Sequence, residues 1–298
     1  MISVERLNTK EIISKVRLID IRTNRLVEGI ISGAYLSAFK GTGIEFSEVR
    51  EYQIGDDPRT IDWNVTARMN RPFVKEFIEE RDLTVMVVLD ISRSSEFGTV
   101  RSMKKDIGIE LCASLAMSAM RNNDKVGLML TTDRVEKYLP PMKGKRHAFR
   151  IIRETIFHEP VHNNTDLSVP LAQLSKILKK RSVIFVISDF QDDIRRFKKP
   201  LQVLKNRHDL IAIKLWDVRE QELPDIGLIE LEDEETGEQV LVDTRDTEFR
   251  KKYMEVVESR NKELSGAMKR LEIDLIEIST AQDWIQPVLK FFSMRAGL

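Results

Sequence analysis

Three short stretches of this chain end in oxygen-bearing side chains whose types and order suit a hard divalent cation. Asp90-Ile91-Ser92-Arg93-Ser94 follows the near-continuous apolar run Leu83–Leu89, and Ser188-Asp189 closes a second run that begins at Ser182. Asn163-Asn164-Thr165-Asp166 precedes a helical pattern. Taken together, Asp90, Ser92, Ser94, Thr165 and Asp189 form an all-oxygen set of low net charge. Mg²⁺ (or Mn²⁺) prefers such donors, because it takes octahedral oxygen ligation and keeps several of its waters. Each residue also has a plain structural use, since a Ser or Thr after a strand often caps a helix. What unites them is position: in open α/β sheets, ligands sit beyond the carboxyl ends of the strands.

The elements that must hold them follow from periodicity. Leu83–Leu89, broken only by Thr84, and Val183–Ile187 within Ser182–Ser188 are near-continuous apolar runs, as strands buried on both faces are. Further strands are predicted over 125–131, 135–139, 210–216 and 274–278, and helices over 102–121, 145–157, 167–180, 194–206, 247–271 and 283–294. Strands separated by helices of this length predict an α/β fold, a doubly wound and mostly parallel sheet with helices on both faces. Glu234-Glu-Thr-Gly237 between two short apolar runs predicts a hairpin near 227–243. Upstream the rhythm differs. Residues 8–27 have helical spacing and 44–54 read as extended. Gly55-Asp-Asp-Pro58 starts a short helix that runs through Met69, and Phe73–Phe77 alternates again. The boundary therefore falls near residue 82, with an N-terminal helical and β-rich segment over 1–81 and the α/β domain over 82–298.

Composition removes several alternatives. The 298 residues carry 48 Lys and Arg against 48 Asp and Glu, so bulk nucleic-acid binding is not expected. A hydrophobic fraction of 42% provides for a sizeable core. The single cysteine, Cys112, lies in an apolar run and is assigned to core packing; alone it builds neither a disulfide framework nor a cysteine zinc site. No stretch has the roughly 18 apolar residues of a membrane span, and the first ten residues do not form a signal peptide. Those features predict a cytoplasmic protein without a transmembrane segment. Gly41-Thr-Gly43 lacks the third glycine of a dinucleotide loop, Gly144-Lys145 lacks the spacing of a phosphate-binding loop, and Pro160 separates His158 from His162. The basic cluster Lys143, Lys145, Arg146, Arg150 and Arg153 reads as a solvated helix face.

Asp90-Ile-Ser-Arg-Ser94, with Thr165 and Asp189, resembles the metal-ion-dependent adhesion site of von Willebrand factor A domains. The resemblance implies direct ligation by Ser92, Ser94 and Thr165, water-mediated roles for Asp90 and Asp189, and completion of the shell by a partner's carboxylate. Gly41-Thr-Gly43-Ile-Glu-Phe46, Arg50-Glu-Tyr52, Gly55-Asp-Asp-Pro-Arg59, Ile61-Asp-Trp63, Ala67-Arg68, and Val74-Lys75 through Glu79-Glu-Arg81 follow one another in that order. This series resembles the bacterial and archaeal family catalogued as domain of unknown function fifty-eight, over roughly residues 29–220. It implies a von Willebrand factor A-like domain and a link to MoxR-type AAA+ ATPases. The expected function is a non-enzymatic, Mg²⁺-dependent protein-interaction module. It would serve as adaptor or cofactor of such an ATPase in assembly or maturation of other proteins, cytoplasmic or brought to the inner membrane through its partners. The alternative is a Mg²⁺-dependent phosphoester hydrolase using the same oxygen cluster. Gly55, Asp56, Asp57, Arg59, Asp62, Trp63 and Arg68 have no assigned reaction. They are expected to pin the upstream segment through a salt-bridged network with Trp63 as apolar anchor, or else to form a partner-binding face.

Overall fold

The computed structural model describes Tyr35 and residues 45–78, 83–96, 98, 102–162, 164–232 and 239–296. The helix expected over 8–27 and the motif residues Gly41-Thr-Gly43 and Glu79–Arg81 lie outside them. The chain divides into two compact units, Phe39–Leu83 and Met1–Ala38 with Thr84–Leu298.

In the smaller unit, β1 (Glu45–Glu51) and β2 (Phe73–Ile78) pair antiparallel, from Glu45 opposite Ile78 to Glu51 opposite Phe73. A turn follows β1, with Gly55 at φ 114°, a conformation that L side chains rarely adopt. Asp57 caps a single 3₁₀ turn, Pro58–Thr60, by accepting the Arg59 N–H, and Pro58 takes the first position where no amide is needed. Asp62 caps α1 (Trp63–Met69) by accepting the Asn64 and Val65 amides. Asn70, at φ 56°, ends that helix in the left-handed conformation. Thr66 Oγ1 then accepts the Phe73 N–H at 3.0 Å, tying α1 to β2.

The larger unit is built on β3 (Thr84–Asp90), β4 (Lys125–Thr131), β5 (Val135–Met142), β6 (Val183–Ser188), β7 (Asp209–Trp216) and β10 (Asp274–Ser279), in the order β10-β7-β6-β3-β4-β5. All pairs are parallel except the edge pair β4–β5. The helices are α2 (Lys104–Arg121), α3 (Lys145–Phe157), α4 (Ser168–Ile177), α5 (Ile194–Lys205), the one-turn α6 (Val218–Gln221), α7 (Thr247–Arg270) and α8 (Ile285–Ala296). Strand alternation splits the core between the two faces. Met86, Val88, Ile184, Val186 and Ala212 pack against Leu171 of α4, Phe197 and Leu201 of α5, and Met268 of α7. Phe185, Ile213 and Ile276 point to the other face, where Leu111 and Leu115 of α2 and Val288 and Phe292 of α8 line a small cavity with them. Tyr35 is fully buried edge-on to Phe292 and donates its hydroxyl to Asp124 Oδ2 at 3.2 Å. Cys112 is fully buried and burial pushes its thiol up to about 12, which suits a packing residue.

The hairpin stands where the turn residues put it, as β8 (Leu228–Glu232) against β9 (Gln239–Asp243). The single helix expected from Pro58 through Met69 is instead the 3₁₀ turn Pro58–Thr60 and the separate α1, divided at Ile61 and Asp62, whose extended backbone lets Ile61 bridge Val74 and Asp62 cap α1. In the larger unit two element ends also shift by three residues. β5 runs on through Pro140 and Pro141 to Met142, which an edge strand permits because one side of it needs no ladder donors. α4 stops at Ile177 rather than at 180; Leu178 turns extended, and the exposed cations Lys179, Lys180 and Arg181 follow.

Candidate functional site

Reading the sheet from β3 outward, the chain goes to β4 and β5 on one side and to β6, β7 and β10 on the other. The crevice where the order reverses, beyond the ends of β3 and β6, is where open α/β sheets bind ligands. Asp90 is the last residue of β3, and Ser188 and Asp189 leave β6 beside it. Leu89 pairs with Ile187, so the two strands release their polar residues at the same level.

Around Asp90 the contacts are short and directional. Its Oδ1 accepts the Ser92 N–H at 3.0 Å and the Ser92 hydroxyl at 2.6 Å, and its Oδ2 accepts the Ser188 hydroxyl at 2.7 Å. Ser92 Oγ lies 3.1 Å from Ser94 Oγ. A 3₁₀ turn, Arg93–Glu96, follows, with the Ser95 N–H and hydroxyl both donated to the Ser92 carbonyl. Asp90 and Ser92 are buried. Burial first, then the charge of Asp189, pushes the Asp90 carboxyl up to about 6, against the lowering influence of its serine donors.

Thr165 reaches this edge on the loop before α4. The Asp166 N–H is donated to the Thr132 carbonyl at 3.4 Å, and Thr132 directly follows the β4 residue that pairs with Asp90. The preceding loop is held by Glu136, which accepts the Val161 and His162 amides and the Thr132 hydroxyl. Arg196 of α5 joins the Thr165 loop to the loop after β6, with one guanidinium nitrogen 2.5 Å from Asp166 and another 3.1 Å from Asp192. His158 faces Glu136 at 3.8 Å and does not pair with His162.

Asp189 is committed differently from Asp90. Its Oδ1 accepts the Gln191 N–H at 3.2 Å, while its Oδ2 accepts the Lys104 ammonium at 2.8 Å. Lys104 also reaches Glu220 Oε1 at 2.5 Å. Phe190, next in the chain, is buried with φ 53°, a conformation uncommon for a bulky residue, and its N–H is held by Ser188 Oγ at 3.0 Å. The structure thus joins Asp90, Ser92 and Ser94 by direct contacts, sets Asp189 beside them just after β6, and brings Thr165 to the same edge. Ser188, Lys104 and Glu220 belong to this edge although the spacing argument did not single them out. Ser188 is adjacent to a chosen residue, and Glu220 sits in a capping box with Asp217, which is visible in sequence. Lys104 at the head of an apolar helix is the other available signal.

The upstream motif residues separate into two groups. Asp56 accepts two bonds from Arg50, both at 2.8 Å, and the Gln53 N–H, which hold its carboxyl down at about 2. Asp57 and Asp62 are helix caps, and Gly55 supplies the turn. Arg59 and Arg68 form no ion pair with a described residue. Trp63, expected as an apolar anchor, is 70% exposed: it is the first residue of α1, and the helix is fixed through Asp62 and Thr66 instead.

Among the described residues, no helix is long and apolar enough to cross a membrane. A family model described as protein of unknown function DUF58 matches residues 48–263. The uncharacterised protein Rv1480 of Mycobacterium tuberculosis is 28% identical over 282 residues, covering 94% of this chain and 88% of that one. Among solved structures, an aerotolerance-related membrane protein from Bacteroides fragilis aligns with a TM-score of 0.50 at 14% identity, over 72% of this chain and 98% of its own. BatB from Bacteroides thetaiotaomicron aligns with a TM-score of 0.46 at 13% identity, over 72% and 100%. The central sheet and its flanking helices make a von Willebrand factor A-like fold. With that fold and a family match across most of its length, the chain belongs to the DUF58 family of proteins of unknown function.

Proposed function

We propose that this chain is a non-enzymatic protein-interaction module that holds Mg²⁺ at the β3–β6 crevice and uses it to capture a carboxylate of a partner protein. The observation that carries the reading is the Asp90–Ser92–Ser94 geometry. Neighbouring ligands of an octahedral Mg²⁺ with 2.0–2.1 Å bonds lie about 2.9 Å apart. The two serine oxygens, at 3.1 Å, have that spacing. Ser92 gives its proton to Asp90, so its oxygen can face a cation with a lone pair. Asp90 is buried beside a second carboxylate, an arrangement that a positive ion would relieve. Ser92, Ser94 and Thr165 would hold the ion directly, with Asp90 and Asp189 behind them. When bound, the ion supplies a fixed positive charge with an exchangeable position. A carboxylate is its natural ligand there. The resemblance in the motif residues supports a MoxR-type AAA+ ATPase as the partner class, with this chain as a cytoplasmic adaptor in assembly or maturation of other proteins.

The test is calorimetric titration of Mg²⁺ and Mn²⁺ into the purified chain and into Ser92→Ala, with melting temperatures alongside. A cation present at 100 times its Kd stabilises the native state by about 2.7 kcal/mol. Wild type should gain stability on that scale and Ser92→Ala should not. Equal gains in both proteins, or none in wild type at millimolar metal, would reject the reading. A chelator-sensitive pull-down with the candidate ATPase tests the partner class separately.

A further inference from the structure

Lys104 is in an unfavourable place for a lysine. Its side chain is 1% exposed, and it is the first residue of the 18-residue helix α2, at the positive end of the helix dipole. The preceding Met103 provides no side-chain cap. A buried ammonium at such a position persists only when it is paired and hydrogen-bonded. Among the described residues it pairs with Asp189 at 2.8 Å and with Glu220 at 2.5 Å. Glu220 is itself held for this contact: its Oε2 accepts the Asp217 N–H at 3.0 Å and its Oε1 the Gln191 side-chain N–H at 2.9 Å. Three separate elements, α2, the loop after β6 and α6, therefore converge to bring one cation against one of the five oxygen-bearing residues. A second ammonium, Lys214 at the end of β7, is turned instead to Asn261 at 2.5 Å and Glu277 at 3.8 Å.

We infer that Lys104 is the specificity-determining residue of this edge: by holding Asp189 Oδ2 in an ion pair, it keeps that carboxylate from ligating a bound divalent cation directly and so leaves the anionic ligand position to a partner. The inference rests on the metal reading above and deepens it. With Asp189 Oδ2 committed to Lys104, the oxygens left to ligate the ion directly are the neutral ones of the serines and the threonine, with Asp90 behind them. Such a shell leaves the ion a strong attraction for an anionic oxygen, which a partner's carboxylate supplies and a neutral donor does not. Freed from Lys104, Asp189 would supply that oxygen internally. The ion would be held more tightly, and an external carboxylate more weakly.

The experiment compares wild type with Lys104→Met and with the double variant Lys104→Met, Glu220→Gln. The double variant removes one charge of each sign and keeps the net charge of the edge, so it guards against the single variant failing to fold. Mn²⁺ affinity is read by calorimetry. Access of a carboxylate to the ion is read from the paramagnetic relaxation of acetate protons by the Mn²⁺-loaded protein. A carboxylate freed to ligate the ion directly gives at least about tenfold tighter Mn²⁺ binding in both variants. Acetate relaxation should fall in the same variants. These opposed changes are the signature, because a merely structural lysine would weaken both or neither. Wild-type Mn²⁺ binding with no gain in a folded variant, or a gain in both metal and acetate binding, would overturn the inference and leave the metal reading standing. No Mn²⁺ binding in wild type or variants would overturn both.

Discussion

Replacing Asp90 by asparagine tests the electrostatics of the crevice in a way that a loss-of-function substitution does not, because the expected result is a more stable protein. The Asp90 carboxyl is pushed from 3.8 to about 6 by burial and by Asp189. A carboxyl raised in the folded state binds more protons there than in the unfolded chain. Native stability is therefore full below the unfolded value, falls as pH rises from about 4 to about 6, and stays reduced above that. The shift corresponds to about 3 kcal/mol at neutral pH. An asparagine side chain here keeps an oxygen for the Ser92 N–H and hydroxyl. Its amide would instead donate to Ser188 Oγ, which already accepts the Phe190 N–H, leaving the Ser188 proton without its acceptor. That loss costs about 1 kcal/mol. In chelator-treated urea denaturation at pH 8, Asp90→Asn should thus be about 2 kcal/mol more stable than wild type. At pH 4 the advantage should vanish, and the remaining hydrogen-bond loss should put the variant slightly behind. Millimolar Mg²⁺ should narrow the gap at pH 8 by stabilising wild type alone. A variant equal to or weaker than wild type at pH 8 with chelator would refute the claim that an ionised Asp90 is strained by its surroundings.

Two further substitutions test how the frame of the site is built. Glu272 is exposed and left-handed at φ 54°, just after the last turn of α7, so Glu272→Gly should raise stability by about 0.5–1 kcal/mol, read as a shifted urea midpoint at unchanged slope. Gly127 lies inside β4, where an added Cβ would sit 2.9 Å from the Leu139 carbonyl oxygen, 2.9 Å from Met86 sulfur and 3.0 Å from Pro141 N. Gly127→Ala should therefore cost about 1–3 kcal/mol, and a melting temperature equal to wild type would contradict the close β4–β5 packing.

Much of the sheet was legible because burial on both faces leaves nothing polar to confuse the pattern: Val85–Leu89 and Val183–Ile187 are apolar without a break, and both are strands. The polar residues that end them then mark the crevice, since strand ends and site coincide in this class of fold. Boundaries governed by tertiary context were not legible. Pro140 and Pro141 look like a strand's end until the edge position of β5 is known. The ion pairs were the least accessible of all. Lys104 and Glu220 are 116 residues apart, and no local spacing predicts that they meet. Arg50 and Asp56, six apart, meet only because the chain turns back at Gly55. Trp63 illustrates the opposite error: a large aromatic was expected inside, yet its burial depends on what α1 packs against, and the caps and Thr66 fix that helix without it.

Glu45 pairs with Ile78 and Glu51 with Phe73, so everything between Glu51 and Phe73 hangs on a two-strand stem. Partners across an antiparallel pair lie about 5 Å apart, close to the separation that a tight turn spans. In engineering terms the stem is a fixed socket and the turn and α1 are its insert. The insert can be lengthened or swapped for another family member's while the register of the stem sets the same spacing at its base.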